Sequence, residues 1–145
     1  MKTLLPILYF ALLPLAGLAQ ENQLARNGLP KNAKIITLKT ELEGDKLFES
    51  VARVLFDEGY EIKSSDKNTG IIQTDNKNVR AGWCLRLSIS INGPSAKIRG
   101  NTYLPRLSDD ELVNYGMKGS LNLMAFSEMD RIAKLIPHTS IEYQP

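Results

Sequence analysis

The sequence predicts an α+β domain in which two helices cover one face of a single antiparallel sheet. Three observations support this fold class: one segment with helical periodicity ends at Gly59, a second follows Ser120, and the segments between them place apolar residues at every second position. Antiparallel hairpins with helices on one side make a two-layer fold. The predicted order is β-α-β-β-β-β-α, with about five strands in the sheet and an extra short helix before the last helix.

The N-terminal residues have the features of a signal peptide. Lys2 supplies a positive charge, residues 4–18 are mostly apolar, and Gly17-Leu18-Ala19 offers the small residues that a signal peptidase recognises. The alternative is a membrane anchor, but the apolar run contains two prolines and is shorter than the about 20 residues of a spanning helix. We therefore predict cleavage after Ala19, export to the periplasm or the medium, and no membrane span in the mature chain.

The remaining residues, 20–145, have the size of one domain with its own core. The chain contains a single cysteine, so no intramolecular disulfide can form. The net charge of +2 falls to +1 when Lys2 is removed, which is not the clustered basic surplus typical of nucleic-acid binding. Residues 20–33, with Gly28 and Pro30, are predicted to be a flexible tether, and residues 34–145 a single α+β domain.

The first strand and the first helix are predicted over residues 34–59. Lys34 to Thr40 is short and rich in β-branched residues, as strands are. Acidic residues before and within the first turn complement the positive end of a helix. A stripe of apolar residues at helical spacing then follows, formed by Leu47, Val51, Val54 and Leu55 with Phe48 and Ala52 beside them. Gly59 is predicted to end the helix because glycine adopts a positive φ without a steric penalty.

Two hairpins are predicted between residues 60 and 104. The first joins a strand at Tyr60–Lys63 to a strand at Ile71–Thr74, and residues 76–80 form a polar turn. The second begins with the clearest alternation in the chain, in which the inward residues are Trp83, Leu85, Leu87, Ile89 and Ile91. After the turn at residues 92–95, the inner face continues with Ala96, Ile98, Gly100, Thr102 and Leu104.

The C-terminal part is predicted to be mainly helical. Ser108-Asp109-Asp110-Glu111 has the spacing of a capping box, which predicts a short helix ending at Gly116. The last helix has an apolar face of Leu121, Ala125, Met129, Ile132 and Ile136 and ends before Pro137. Residues 138–145 are predicted to add a short segment.

Two segments resemble the start of small periplasmic domains in bacterial lipoproteins. They are Leu55-Phe56-Asp57-Glu58-Gly59-Tyr60-Glu61-Ile62 and Gly70-Ile71-Ile72-Gln73-Thr74, with Ser65-Asp66 between them. They are similar to the helix-grip domains of the lipoprotein C subunit of the outer-membrane β-barrel assembly machinery, in which a sheet packs on a long C-terminal helix. The resemblance covers residues 34–136 in element order and implies a helix-grip-like fold. The chain departs from those lipoproteins in having one domain and no cysteine at the cleavage point.

The sequence shows no recognisable catalytic constellation. His138 is the only histidine, and nothing near it would orient it as a general base. Cys84 lies on the outward side of its strand near Arg86, without an adjacent base to activate a thiol. The resemblance supplies no catalytic residue either. We therefore predict that the protein is not an enzyme, with a reactive thiol at Cys84 as the alternative to an incidental small residue.

No cofactor or metal is predicted. Asp66-x-Asn68-x-Gly70 begins like a calcium loop but lacks the later acidic ligands, so the requirements of a turn explain it. The acids at Asp109, Asp110 and Glu111 fit a helix start. No cluster of histidine and cysteine is present for zinc.

The polar face of the sheet is the predicted binding surface. The residues assigned to it are Arg86, Ser88, Lys97, Arg99, Asn101 and Tyr103. Three cations with hydroxyl groups and an aromatic ring suit an acidic ligand, a glycan or a segment of a partner. The alternative is a solvated face without a function, and the long connection from Pro105 to Gly119 is a second candidate.

The predicted function is that of an exported, non-enzymatic domain that binds a protein or a cell-envelope component. Two other functions remain open. One is a small ligand carrier or enzyme with a pocket between the sheet and the last helix, near Cys84, Tyr60 or Tyr115. The other is a structural spacer or assembly subunit.

Overall fold

The computed structural model describes residues 28–80, 82–104 and 108–145, which form one antiparallel sheet and two helices. The predicted signal peptide and residues 20–27 lie outside the described residues. The helices are α1 (Gly44–Asp57) and α2 (Leu121–Leu135). The strands are β1 (Ile35–Lys39), β2 (Ile62–Asp66), β3 (Ile71–Thr74), β4 (Lys77–Arg80), β5 (Trp83–Asn92), β6 (Ser95–Leu104), β7 (Ser108–Glu111) and β8 (Ser140–Gln144).

A hairpin of the two longest strands, β5 and β6, lies at the centre of the sheet. The two strands pair from Cys84 opposite Tyr103 to Asn92 opposite Ser95. Two short strands share each side of this hairpin: β3 and β4 both pair with β5, and β1 and β7 both pair with β6. With β2 beyond β3 and β8 beyond β1, the strand order is β2-β3-β5-β6-β1-β8.

The apolar core lies between one face of the sheet and the two helices. The inward residues Leu85, Leu87 and Ile89 of β5 are at most 1% exposed. They belong to one apolar cluster with Leu47, Val51 and Leu55 of α1 and Phe126, Met129 and Ile132 of α2. The packing is tight at Gly100 of β6, where a Cβ would lie 3.2 Å from Met129 Sδ. Both helices therefore cover the same face, and the opposite face stays open.

Both predicted long helices are confirmed. Helix α1 begins after Glu43, and Gly59 beyond its end has a φ of +74°, as the helix stop requires. The Tyr60 amide donates to the carbonyl of Leu55 over 2.8 Å, which satisfies a carbonyl of the last turn. Helix α2 is capped by Ser120, whose hydroxyl accepts a hydrogen bond of 3.2 Å from the Leu123 amide.

The predicted number of strands is wrong, although the α+β class holds. The described sheet has eight strands and not about five. The segment predicted as a polar turn at residues 76–80 contains β4, and the C-terminal tail contributes β8, which pairs along the whole of β1. The short helix predicted before the last helix is also wrong, because Ser108–Glu111 is β7.

Unpaired backbone of the central hairpin explains β4 and β7. β1 pairs only with Ser95–Arg99 of β6, so the remaining part of β6 needs another partner for its amides and carbonyls. β7 supplies it through the pairs Asn101–Glu111 to Leu104–Ser108. A capping box contributes about 1 kcal/mol to a helix, and a ladder of backbone hydrogen bonds outweighs that local preference.

Residues 28–33, the last part of the predicted tether, pack against the domain. Leu29 is 6% exposed and Ala33 is 2% exposed. The Asn32 amide donates to the carbonyl of Asn114 over 2.6 Å, and the Asn114 amide donates to the carbonyl of Ala33 over 2.9 Å. The folded domain therefore includes residues 28–33, which were predicted to belong to the tether.

Neither described helix can cross a membrane. A spanning helix needs a long and uniformly apolar sequence. No helix among the described residues meets that requirement.

Replacement of Leu87 by alanine is expected to lower the free energy of unfolding by about 2–5 kcal/mol, because it leaves a cavity in the core. Leu87 is fully buried at 0% exposure. Urea denaturation measures the effect. The matched control is Ser90→Ala on the open face of the same strand, for which we expect a change within about 0.5 kcal/mol. An unchanged midpoint for Leu87→Ala would contradict the inward orientation of this residue.

Replacement of Gly70 by alanine is expected to destabilise the protein more than replacement of Gly93. Both glycines have a positive φ, +68° and +54°, so each alanine costs about 1–2 kcal/mol of backbone strain. A Cβ at Gly70 would also overlap the carbonyl oxygen of Ile91, whereas nothing lies within 4 Å of a Cβ at Gly93. Thermal unfolding of the two variants compares them, and equal losses would show that the overlap is relieved without cost.

Candidate functional site

The open face of the sheet brings the predicted binding residues together on β5 and β6. Residues directly opposite each other in an antiparallel pair share a face. Arg86 lies opposite Asn101, Ser88 opposite Arg99, Ser90 opposite Lys97, and Cys84 opposite Tyr103. All these side chains alternate with the buried ones of the core, so they lie on the face that the helices leave uncovered.

Arg86 is not a free cation. Its Nη2 atom donates to both carboxylate oxygens of Asp109 on β7, over 2.9 Å and 2.6 Å. The pair reaches across β6, which lies between the two strands. Because Asp109 neutralises this guanidinium, Arg86 is less suited to hold an anion than the sequence predicts. The sequence offered no sign of the pair, since Asp109 was assigned to a helix start.

Lys97 and Arg99 are the unpaired cations of this face. Both are exposed, and neither forms an ion pair with any residue that the structure describes. Lys39, on the neighbouring strand, is paired with Glu142 over 3.0 Å. We use the name basic patch for Lys97 and Arg99 with the opposite residues Ser88 and Ser90.

A buried hydroxyl group lies beside the basic patch. Thr37 of β1 lies directly opposite Lys97. It is 5% exposed, and its Oγ1 has no hydrogen-bond partner among the described residues. A buried hydroxyl without a partner costs about 1–3 kcal/mol. A hydrogen bond to Thr37 Oγ1 from an added donor or acceptor would remove that cost. Sequence reasoning missed it because a threonine in a strand carries no functional signal.

The basic patch borders a cavity of about 630 Å³ at the end of the sheet near the β5–β6 turn. Lys97 and Ser90 line one side of this cavity. Lys67, which also lines it, is 2.9 Å from Glu49 and is therefore neutralised. The open face thus ends in a depression where a ligand bound at Lys97 could place a further group.

The other predicted residues of the face lie farther along the hairpin. Tyr103 and Asn101 are half-buried and lie toward the end where β7 joins the sheet. Cys84 is half-buried, and its Sγ lies 3.9 Å from the carbonyl of Gly82. The His138 Nδ1 lies 2.7 Å from the carbonyl of Ile136. No hydrogen bond joins either Cys84 or His138 to a described side chain that could activate it.

The acidic segments have structural roles. Asp66 Oδ1 accepts hydrogen bonds from the amides of Asn68 and Thr69 over 2.8 Å and 3.4 Å, which forms the turn that the sequence predicts. These amide donors, that of Asn68 first, lower the pKa of Asp66. In the described ranges, no three histidine, cysteine, aspartate or glutamate side chains are grouped as metal ligands.

A charged cluster between β4 and α2 was not predicted from the sequence. Arg131 Nε donates to Glu128 over 2.8 Å, and Arg131 Nη1 lies 2.8 Å from Glu58. Lys77 Nζ lies 3.4 Å from Glu128 and 4.2 Å from the centre of the Tyr60 ring. The cluster lines a groove of about 560 Å³. Its two cations and two carboxylates neutralise one another, so it joins α1, β4 and α2 rather than presenting a net charge.

The cluster shifts the pKa values of two of its members, the half-buried Glu128 and the buried Tyr60. Hydrogen bonds from Arg131 outweigh the effect of burial and lower the pKa of Glu128. Burial, followed by the Glu128 carboxylate that accepts the tyrosine hydroxyl at 3.3 Å, raises the pKa of Tyr60 above its usual range. Both shifts reinforce the ordinary states at neutral pH, a neutral Tyr60 and an ionised Glu128.

A second cavity lies at the opposite end of the central hairpin, on the side of the helices. Its volume is about 810 Å³, and we call it the end cavity. It is bordered by Lys34, Trp83, Thr102, Asp110, Tyr115 and Asn122. A pocket between the sheet and the last helix near Tyr115 was the position expected for a ligand carrier.

No protein-family model matches this chain, and no curated protein matches it. A function must therefore be proposed from the chemistry of the chain's own surfaces.

Replacement of Glu128 by glutamine is expected to make stability less dependent on pH. The pKa of Glu128 is lower in the folded protein than in the unfolded chain. The ionised carboxylate therefore stabilises the fold at pH values above the unfolded pKa of about 4.3. This stabilisation is lost as the pH falls through the lower pKa of the folded protein. The variant should lose about 1–3 kcal/mol at pH 7, and less at pH values near 3.

Urea denaturation at several pH values measures this difference. The control is Glu61→Gln, because Glu61 is exposed and its carboxylate forms no hydrogen bond or ion pair with a described side chain. Parallel stability profiles of Glu128→Gln and the wild type would contradict the stabilising role of the ionised carboxylate.

Proposed function

We propose that this chain is an exported, non-enzymatic domain that binds an anionic segment of a protein or another anionic component of the cell envelope through its basic patch. The observation that carries the proposal is the pair of exposed cations Lys97 and Arg99, for which the structure provides no carboxylate among the described residues. The neighbouring cations Arg86 and Lys39 both have one.

The spacing of the two cations favours an anionic ligand. Lys97 and Arg99 point to the same side of one strand, and their backbones are about 7 Å apart. Like charges at this distance repel each other, and a bound carboxylate or phosphate would relieve the repulsion. A guanidinium also binds such groups with two parallel hydrogen bonds, which fixes the orientation of the ligand.

The surroundings of the cations supply neutral hydrogen-bonding groups. Ser88 lies opposite Arg99 and Ser90 lies opposite Lys97, so a hydroxyl accompanies each charge. Thr37 lies opposite Lys97 on β1, and its buried Oγ1 has no partner among the described residues.

Reversal of both charges in Lys97→Glu/Arg99→Glu is expected to abolish capture of the partner from a cell-envelope extract. The immobilised domain, residues 20–145, is incubated with the extract, and the retained proteins and glycans are identified. Because exposed charges are screened by salt, capture by the wild type should also fall as the ionic strength rises from 0.05 M to 0.5 M, at which the screening length decreases to about 4 Å.

Two variants control for the change in net charge. Lys46→Glu/Arg53→Glu alters the charge equally, but it does so on the exposed side of α1, remote from the open face of the sheet. This variant should retain the same partner as the wild type. Equal loss in both double variants would show that only the net charge of the domain matters. Unchanged capture by Lys97→Glu/Arg99→Glu would refute the role of the basic patch.

A further inference from the structure

The end cavity has a wall that is fixed by a buried asparagine. Asn114 is 0% exposed. Its Nδ2 donates to the carbonyl of Pro30 over 2.8 Å, and its Oδ1 accepts from the amide of Gly116 over 3.0 Å. These bonds tie the segment that carries Tyr115 to the N-terminal residues that carry Asn32. The backbone that carries both residues is therefore held before any ligand binds, which reduces the entropic cost of binding.

Two aromatic side chains border the end cavity. Trp83, at the start of β5, is half-buried, and Tyr115 is 47% exposed. Neither the indole nitrogen nor the tyrosine hydroxyl forms a hydrogen bond with a described residue. Aromatic residues with a polar group offer an apolar face and a hydrogen-bonding edge to the same ligand.

Polar side chains without partners complete the lining. Asn32 and Asn122 both face the cavity, and neither side-chain amide is hydrogen-bonded within the described part of the chain. Each of these amides offers both donors and an acceptor. A ligand with many hydroxyl groups would satisfy them, whereas a purely apolar ligand would leave them without partners.

The charge of the cavity lining disfavours anions. Lys34 lies 3.4 Å from Glu111, so that lysine is neutralised. Asp110 also borders the cavity and forms no ion pair with a described residue. The remaining charge is therefore negative, which disfavours carboxylates and phosphates and leaves a carboxylate free to accept hydroxyl groups.

We propose that the end cavity is a binding site for a neutral saccharide. A sugar ring presents apolar C–H groups, which stack on the rings of Trp83 and Tyr115, and hydroxyl groups, which bind Asn32, Asn122 and Asp110. The volume of about 810 Å³ lies within the range of about 300–1,000 Å³ of ligand sites. This site lies on the helix side of the sheet and does not depend on the basic patch.

The single tryptophan of the chain makes the test specific, because all tryptophan fluorescence comes from Trp83. The domain is titrated with maltose, cellobiose and diacetylchitobiose as neutral probes and with galacturonic acid as an anionic probe, each up to about 10 mM. We expect a saturable change in emission with at least one neutral disaccharide and none with galacturonic acid.

Variants separate binding from other causes of a fluorescence change. Tyr115→Ala removes one exposed ring and should weaken binding about tenfold, while Tyr103→Ala, on the open face of the sheet, should leave the affinity unchanged. Thermal unfolding verifies that both variants are folded. Lys97→Glu/Arg99→Glu should also bind the saccharide normally, which distinguishes failure of this site from failure of the basic patch.

Three outcomes would overturn the proposal. They are no response to any neutral disaccharide, a response that Tyr115→Ala leaves unchanged, and a response confined to galacturonic acid.

Discussion

The pairing of β5 with β6 is the interaction on which the rest of the structure depends. The two strands pair along nearly their whole length, and every other described strand is attached to them directly or through one neighbour. Their register also decides which side chains face the helices, since a shift by one residue would bury Arg86 and expose Leu87. The core, the open face and both cavities are consequences of this one hairpin.

The hairpin separates two surfaces of different chemistry. Near its turn, the open face carries Lys97 and Arg99, whose charges no described carboxylate balances. Near its other end, on the helix side, the end cavity combines Trp83 and Tyr115 with an unpaired carboxylate. Cations on an open face suit an anionic segment, and aromatic rings in a cavity suit a neutral polyhydroxyl compound. The two proposed binding sites therefore differ in chemistry and lie on opposite faces of one hairpin.

Local patterns predicted the elements that depend on nearby residues. Helix α1 followed from apolar residues at helical spacing and from Gly59, and the alternation of β5 followed from its inward leucines and isoleucines. The predictions were wrong at β4, β7 and β8, where the sequence is polar. Strands β4 and β7 form because the ends of β3 and β1 leave part of the hairpin backbone unpaired, and β8 pairs with the other edge of β1. Such a requirement depends on distant segments and is not visible in the sequence of the strand itself.

The same division applies to the candidate sites. Alternation along β5 and β6 was sufficient to place Arg86, Ser88, Lys97, Arg99, Asn101 and Tyr103 on one face. Only the tertiary structure pairs Arg86 with Asp109, places the buried Thr37 hydroxyl beside Lys97, and joins Trp83 to Tyr115 around one cavity. The sequence by itself determined which side of each strand is polar, because side-chain direction follows from a period of two residues. The tertiary structure decided which of those polar groups have partners, because ion pairs and cavities join residues that are distant in the chain.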